Sequence, residues 1–149
     1  MFKTIVCPLD LSERSFKALA KAAEIARLCN SHLILLHLVE KFMSEKEMIM
    51  LRVGAEHFQE VQREIALKVK KQIQDEITRL KINDLEPEII LREGNPRRDI
   101  DNIAAELNAD LIVISSSGKG FISEAVIGST AEALLRQAKI DVLRVYLPK

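Results

Sequence analysis

Short, uniformly apolar runs alternate along this chain with longer stretches whose apolar residues recur at helical spacing. FKTIVCPL (Phe2–Leu9) is the first run and reads as a strand buried on both faces. Ser12 then stands where it caps a helix over about Glu13–Cys29, with Phe16, Leu19, Ala23 and Ala26 on the inner face. HLILLHLV (His32–Val39) shows no polar alternation, which suits a central parallel strand. Ser44 and Glu47 have capping-box spacing and open the next helical pattern, which Gly54 interrupts. A stripe of Phe58, Val61, Ile65, Val69, Ile73, Ile77 and Leu80 follows. Its steps of three and four put one helix face on a core, and the same stripe would also serve a short coiled coil.

PEIILRE (Pro87–Glu93) is a third strand, and Gly94 turns the chain. Asn95 and Pro96 read as the cap and first residue of a helix whose inner face is Ile100, Ile103, Ala104 and Leu107. DLIVIS (Asp110–Ser115) is the fourth strand. Ser129 and Glu132 repeat the capping-box spacing, so a helix starts at Gly128–Ser129 and runs to about Gln137. DVLRVYL (Asp141–Leu147) closes the pattern as a fifth strand. Strand–helix alternation of this kind implies a parallel sheet with helices on both faces and right-handed crossovers. In such sheets ligands sit beyond the carboxyl ends of the strands, where the strand order reverses.

Two loops at strand carboxyl ends carry groups suited to that place. One is Pro8-Leu9-Asp10, after the first strand. The other is SSSGKGFISEAVIGST (Ser115–Thr130), which holds three of the chain's five glycines. If the first and fourth strands are neighbours, the loops face each other. A helix start at Ser129 then offers free N–H groups and a positive dipole end to a phosphate. Ser129 and Thr130 add hydroxyls and Lys119 a nearby cation. Asp10, opposite, could take a ribose hydroxyl or a magnesium ion. Neither GxxxxGK[ST] nor GxGxxG is present: position 113 is Val, Gly120 follows Lys119, and Ser123 stands where a third glycine belongs. Spacing alone therefore leaves open that the glycines merely turn the chain and that Ser129 merely caps a helix.

PLDLSERSFKALAKAAEIA, HLILLHLVE, ADLIVISSSGKG and IGSTAEALLRQAKIDVLRVY together resemble the universal stress protein family over nearly the whole length and in the same element order. Its nucleotide-binding branch carries G-x2-G-x9-G-[ST]. Gly118, nine residues, then Gly128-Ser129 match the second half, while Ser115 stands in place of the first glycine. If that position needs positive φ, a serine costs on the order of 1 kcal/mol. If it is merely extended, serine is tolerated and its hydroxyl can donate. The resemblance implies that Pro8, Leu9 and Asp10 hold base and ribose, and that the backbone of Val39 meets adenine. It implies that Ile114 and Ser115 form the exit of the fourth strand, and that Gly118, Gly128, Ser129 and Thr130 contact phosphate. Asp10 would be the metal residue, with ATP and Mg2+ as ligands. The resemblance also implies a homodimer through the last strand, Val142 to Tyr146. The fold expected is α/β: a single-domain, doubly wound, five-stranded parallel sheet with helices on both faces, Rossmann-like, strand order 3-2-1-4-5.

Composition narrows the functional classes. The 149 residues suit one domain and carry 22 basic and 22 acidic side chains. Zero net charge argues against a nucleic-acid or membrane-surface binder, which would show a basic excess. Asp10 interrupts the N-terminal apolar stretch and no run is long enough to span a bilayer, so a cytoplasmic protein is expected. Cys7 and Cys29 have no metal-like spacing and read as reduced, buried thiols. His32, His37 and His57 form no ligand set, and His37 reads as a satisfied core histidine. Asp99 and Asp101 lie two apart on a helix and do not share a face. Arg97 and Arg98 read as solvated. No nucleophile has a plausible base beside it, so a regulatory ATP-binding module is expected rather than a dedicated enzyme. The alternatives are a dimer that acts through protein partners without nucleotide, and a slow ATP hydrolase using Asp10, magnesium and water.

Overall fold

The computed structural model describes residues 1–40, 45–50, 52, 54–116 and 129–147. Its elements follow the order β1 (Thr4–Pro8), α1 (Glu13–Cys29), β2 (His32–Val39), α2 (Glu45–Met50), α3 (Ala55–Arg79), a 3-10 turn (Asn83–Leu85), β3 (Glu88–Glu93), α4 (Pro96–Glu106), β4 (Leu111–Ser115), α5 (Ser129–Gln137) and β5 (Asp141–Val145). The five strands form one parallel sheet in the order β3-β2-β1-β4-β5, as expected from the sequence.

Strand alternation divides the core in two. Ile5, Cys7, Leu33, Leu35, Leu111 and Val113 point to the face covered by α1 and α3. Val6, Ile34, Leu36, Ile112 and Ile114 point to the face covered by α4 and α5. The central strands are apolar on both sides because both sides are covered. Phe16, Leu19, Ala23 and Ala26 of α1 are buried as the helical spacing predicts. The long stripe belongs to α3, which packs most firmly through its second half. Val69, Ile73 and Ile77 are buried, whereas Phe58, Val61 and Ile65 are half-buried. A helix lying on a sheet accounts for the stripe without a coiled coil.

The caps act as their chemistry requires. Ser12 Oγ accepts the N–H of Ser15 at 3.1 Å, and Asn95 Oδ1 accepts the N–H of Arg97 at 2.9 Å, with Pro96 at the first position of α4. Gly54 caps α3 and separates it from α2. Ser44, the expected partner of Glu47, lies outside the described residues. Gly94 is needed for space: a Cβ there would sit 2.8 Å from Asp99 Oδ2, which accepts the N–H of Asn95 at 2.7 Å.

Two strands are shorter than the apolar runs suggested. β1 begins at Thr4 rather than Phe2, because the N–H groups of Lys3 and Thr4 donate to the side chain of Asp110 at 2.7 and 2.8 Å. β5 ends at Val145, the partner of Ser115; β4 ends there, so Tyr146 and Leu147 have no strand to pair with.

Candidate functional site

The strand order reverses at β1. Its chain goes to β2 on one side, and the later crossover returns to β4 on the other. The β1–β4 ladder registers only Ile5 with Leu111 and Val6 with Ile112, although β1 continues to Pro8 and β4 to Ser115. Pro8 has no N–H to extend the ladder. The strands part there, and a cavity of about 560 Å³ lies at the carboxyl end of the sheet. That volume is in the range of small-molecule sites, ~300–1,000 Å³.

Its walls come from five places in the chain: Pro8–Asp10 after β1, Leu36–Glu40 at the end of β2, Pro96 and Ile100 of α4, Ile114–Ser116 at the end of β4, and Ser129–Ala131 of α5. Ser15 of α1 joins them. Of the ten site residues expected from the sequence, Pro8, Leu9, Asp10, Val39, Ile114, Ser115, Ser129 and Thr130 all line this one cavity. Gly118 and Gly128 lie outside the described residues, as does Lys119.

The described walls are polarised. Asp10 and Glu40 bring carboxylates at the ends of β1 and β2, while Ser115, Ser116, Ser129 and Thr130 bring hydroxyls at the β4 and α5 side. No lysine or arginine is among the described lining residues. Ser129 is the first residue of α5, so that helix presents its positive end beside the hydroxyls. Asp10 is oriented by its neighbour: Oδ1 accepts the N–H of Ser12 at 2.9 Å. Between them Leu11 adopts φ 67°, a left-handed conformation that costs a leucine about 1–2 kcal/mol. Strain of this kind commonly accompanies functional loops.

Leu9 is held within the protein. Its side chain is buried in the core under α1, its N–H donates to Leu36 O at 2.8 Å, and its carbonyl meets His37 Nδ1 at 2.6 Å. A carbonyl only accepts, so Nδ1 carries the proton. His37 is thus more than a satisfied core histidine: it ties the β1 loop to β2 at the cavity wall. The carbonyl of Val39 accepts the N–H of Gly94 at 3.1 Å, which leaves it one further lone pair. Ser115 is not among the residues with positive φ; it is extended at the end of β4, opposite Val145. The strain objection to a serine at this position therefore falls away.

Sequence reasoning does not single out Leu11, His37, Glu40 or Ser116 as site residues. A leucine at positive φ and a histidine reaching a carbonyl 28 residues away have no local signature. Ser116 is within reach of such reasoning, because it is the next residue after a strand already aimed at the site. The thiol of Cys7 is pushed up to about 12 by complete burial, which leaves it no role as a nucleophile. Among the described residues, no group of three or more His, Cys, Asp or Glu could hold a metal ion by itself. No described helix is long and apolar enough to cross a membrane.

A relative from Synechocystis, a universal stress protein, is 30% identical over 155 residues, covering 97% of this chain and 86% of its own. A universal stress protein of Methanocaldococcus jannaschii is 26% identical, covering 97% of this chain and 95% of its own. A solved structure of that archaeal protein overlays with a TM-score of 0.76 at 26% identity, over 100% of this chain and 99% of that one. Two further solved universal stress proteins share the fold at lower identity. One is in complex with cAMP (TM-score 0.67, 22% identity, 97% of this chain and 96% of that one). The other, from Archaeoglobus fulgidus, is in complex with dAMP (0.58, 21%, and 97% of each). The universal stress protein family model itself matches residues 1–145, so this chain belongs to the universal stress protein family.

Proposed function

We propose that the cavity binds an adenine nucleotide, ATP with Mg2+, and that the protein is a cytoplasmic, homodimeric regulatory module of the stress response rather than a dedicated enzyme. The observation that carries this reading is the convergence of eight expected contact residues on one cavity at the β1–β4 reversal. Structures of this fold in complex with cAMP and dAMP support the adenine part. In this reading the base lies toward Val39 and the ribose toward Asp10, with the phosphates toward Ser115, Ser129 and Thr130 and, by family motif, Gly118 and Gly128. Asp10 brings one carboxylate, so a magnesium ion would take its remaining ligands from phosphate and water, as that ion usually does. Dimerisation is assigned to the sheet edge at β5 and the residue that follows it, Val142 to Tyr146. β5 pairs with β4 on one side and ends the sheet on the other. An edge of this kind is a template for a second copy.

The test is to denature freshly purified protein and identify released nucleotide by mass spectrometry, followed by calorimetry with ATP and Mg2+. Adenine nucleotide is expected. A nucleotide-free protein that shows no heat with ATP refutes the proposal. It would favour a dimer that acts through protein partners, a reading in keeping with the absence of lysine and arginine from the described walls.

A further inference from the structure

Six residues other than glycine adopt positive φ among the described residues. Five of them, Asn30, Arg52, Lys81, Glu86 and Asn108, follow the end of a helix or of the 3-10 turn. A left-handed residue is a common way for a helix to stop. Leu11 differs on two counts. It leads into a helix, α1, and it is the apolar member of the six.

Its neighbours account for the geometry. On one side Leu9 is fixed, its N–H donating to Leu36 O at 2.8 Å and its carbonyl accepting from His37 Nδ1 at 2.6 Å. On the other side Ser12 is fixed as the cap of α1, its Oγ accepting the N–H of Ser15 at 3.1 Å. Asp10 and Leu11 alone carry the chain from strand to helix. Asp10 Oδ1 accepts the N–H of Ser12 at 2.9 Å, so this side chain closes a turn over Leu11. In a turn closed by an aspartate, the next residue takes the third position of a β-turn. A positive φ there is the type II arrangement, which favours glycine or asparagine. Leucine has no such preference. It brings a side chain, half-buried and packed against the core on the α1/α3 side of the sheet. Leu11 thus packs on the core while Asp10, one residue earlier, lines the cavity.

We propose that Leu11 is a positioning residue for the bound nucleotide: its side chain, anchored on the core, holds residue 11 left-handed and so fixes where the Asp10 carboxylate meets the ligand. The ligand part rests on the nucleotide reading above, and the turn part on the chain alone. Without an anchor, the left-handed state of a residue that bears a Cβ is disfavoured about five- to thirtyfold. Glycine takes that state about as readily as the right-handed one. Apparent affinity scales with the fraction of protein in the competent turn.

The test compares Leu11→Ala and Leu11→Gly with wild type, by titration of ATP with Mg2+ and by hydrogen exchange at the Ser12 N–H without ligand. Both variants lose the leucine side chain, but glycine keeps access to the turn without it. ATP affinity is expected to fall by up to about five- to thirtyfold in Leu11→Ala and by about twofold in Leu11→Gly. The Ser12 N–H, bonded to Asp10 in the turn, should exchange faster in Leu11→Ala than in Leu11→Gly. In an Asp10→Ala background Leu11→Ala should cost no further affinity, since no carboxylate is left to position. A folded Leu11→Ala that binds ATP as tightly as wild type overturns the inference. So does a Leu11→Gly that loses as much as Leu11→Ala, which makes the leucine a packing residue only, or an undiminished loss in the Asp10→Ala background, which makes its effect independent of Asp10. A wild-type protein that binds no ATP overturns the nucleotide reading instead. The Ser12 exchange rates still judge the turn in that case, and equal rates in the two variants overturn it.

Discussion

Replacing His37 with phenylalanine tests how the β1 loop is held. The imidazole donates from Nδ1 to the carbonyl of Leu9 at 2.6 Å, and Leu9 is only 3% exposed. Phenylalanine keeps a planar ring and is somewhat larger, so it leaves no cavity. What it lacks is the donor. Leaving a buried acceptor without a partner costs about 1–3 kcal/mol. For a domain of this size each kcal/mol lowers the melting temperature by about 2–4 °C, which gives a fall of ~2–12 °C. His37→Asn should recover part of it, since the asparagine amide nitrogen can stand near the place of Nδ1. Nδ1 donates in both the neutral and the protonated ring, so protonation of the imidazole does not break the bond. Because the same loop carries Asp10, ATP affinity should fall in the phenylalanine variant and return in part with asparagine. Differential scanning calorimetry and a nucleotide titration check both points. A phenylalanine variant that melts with wild type would show that the loop does not depend on this bond.

Ser115→Gly should lower stability by at least about 0.5–1 kcal/mol, because the residue is extended within a buried strand, where glycine adds chain entropy to the unfolded state and removes the serine side chain; an unchanged or higher urea midpoint would restore the strain argument. Asp110 should contribute to acid sensitivity. The N–H groups of Thr4 and Lys3 hold its carboxyl below the usual range, so its stabilisation is present above the ordinary carboxylate pKa and is lost as pH falls through the lower folded value. Asp110→Asn should therefore flatten the loss of stability between pH 6 and about 3, and a parallel pH profile in denaturant melts would contradict it. Tyr146 is 55% exposed beyond the end of β5, so Tyr146→Asp can weaken a dimer at this edge without disturbing the core. Light scattering should show monomer, and an intact dimer would place the interface elsewhere.

Most of the fold is legible in the sequence because its signals are local. Helical spacing in Phe16–Ala26 and Ile100–Ala104, the caps at Ser12 and Asn95, and uniformly apolar β2 each depend on neighbours a few residues away. The departures lie where a distant partner decides. Asp110 takes the N–H groups that would begin β1 early, and the end of β4 shortens β5. The site divides in the same way. Asp10 and Ser129 can be found from their places after a strand and before a helix. The bond from His37 to Leu9 depends on β1 and β2 being neighbours, and the left-handed turn at Leu11 is imposed on a residue type that does not favour it. Neither leaves a trace in residue spacing.

Ser115 shows how backbone conformation changes the meaning of a substitution. At a position needing positive φ, serine in place of glycine would strain the loop whether or not a ligand came. In the extended end of β4 it brings no strain, and what it adds is a Cβ and a hydroxyl at the cavity wall. The consequence is steric and local. A ligand whose phosphate touches the backbone of residue 115 loses that approach. A ligand displaced by the width of one side chain toward the start of α5 instead meets Ser116, Ser129 and Thr130, which line that side. Hydroxyls and a helix end can exchange for close backbone contact because each presents donors to the same anionic oxygens. A serine at 115 is therefore compatible with nucleotide binding, and an ATP titration of Ser115→Gly measures what its side chain changes.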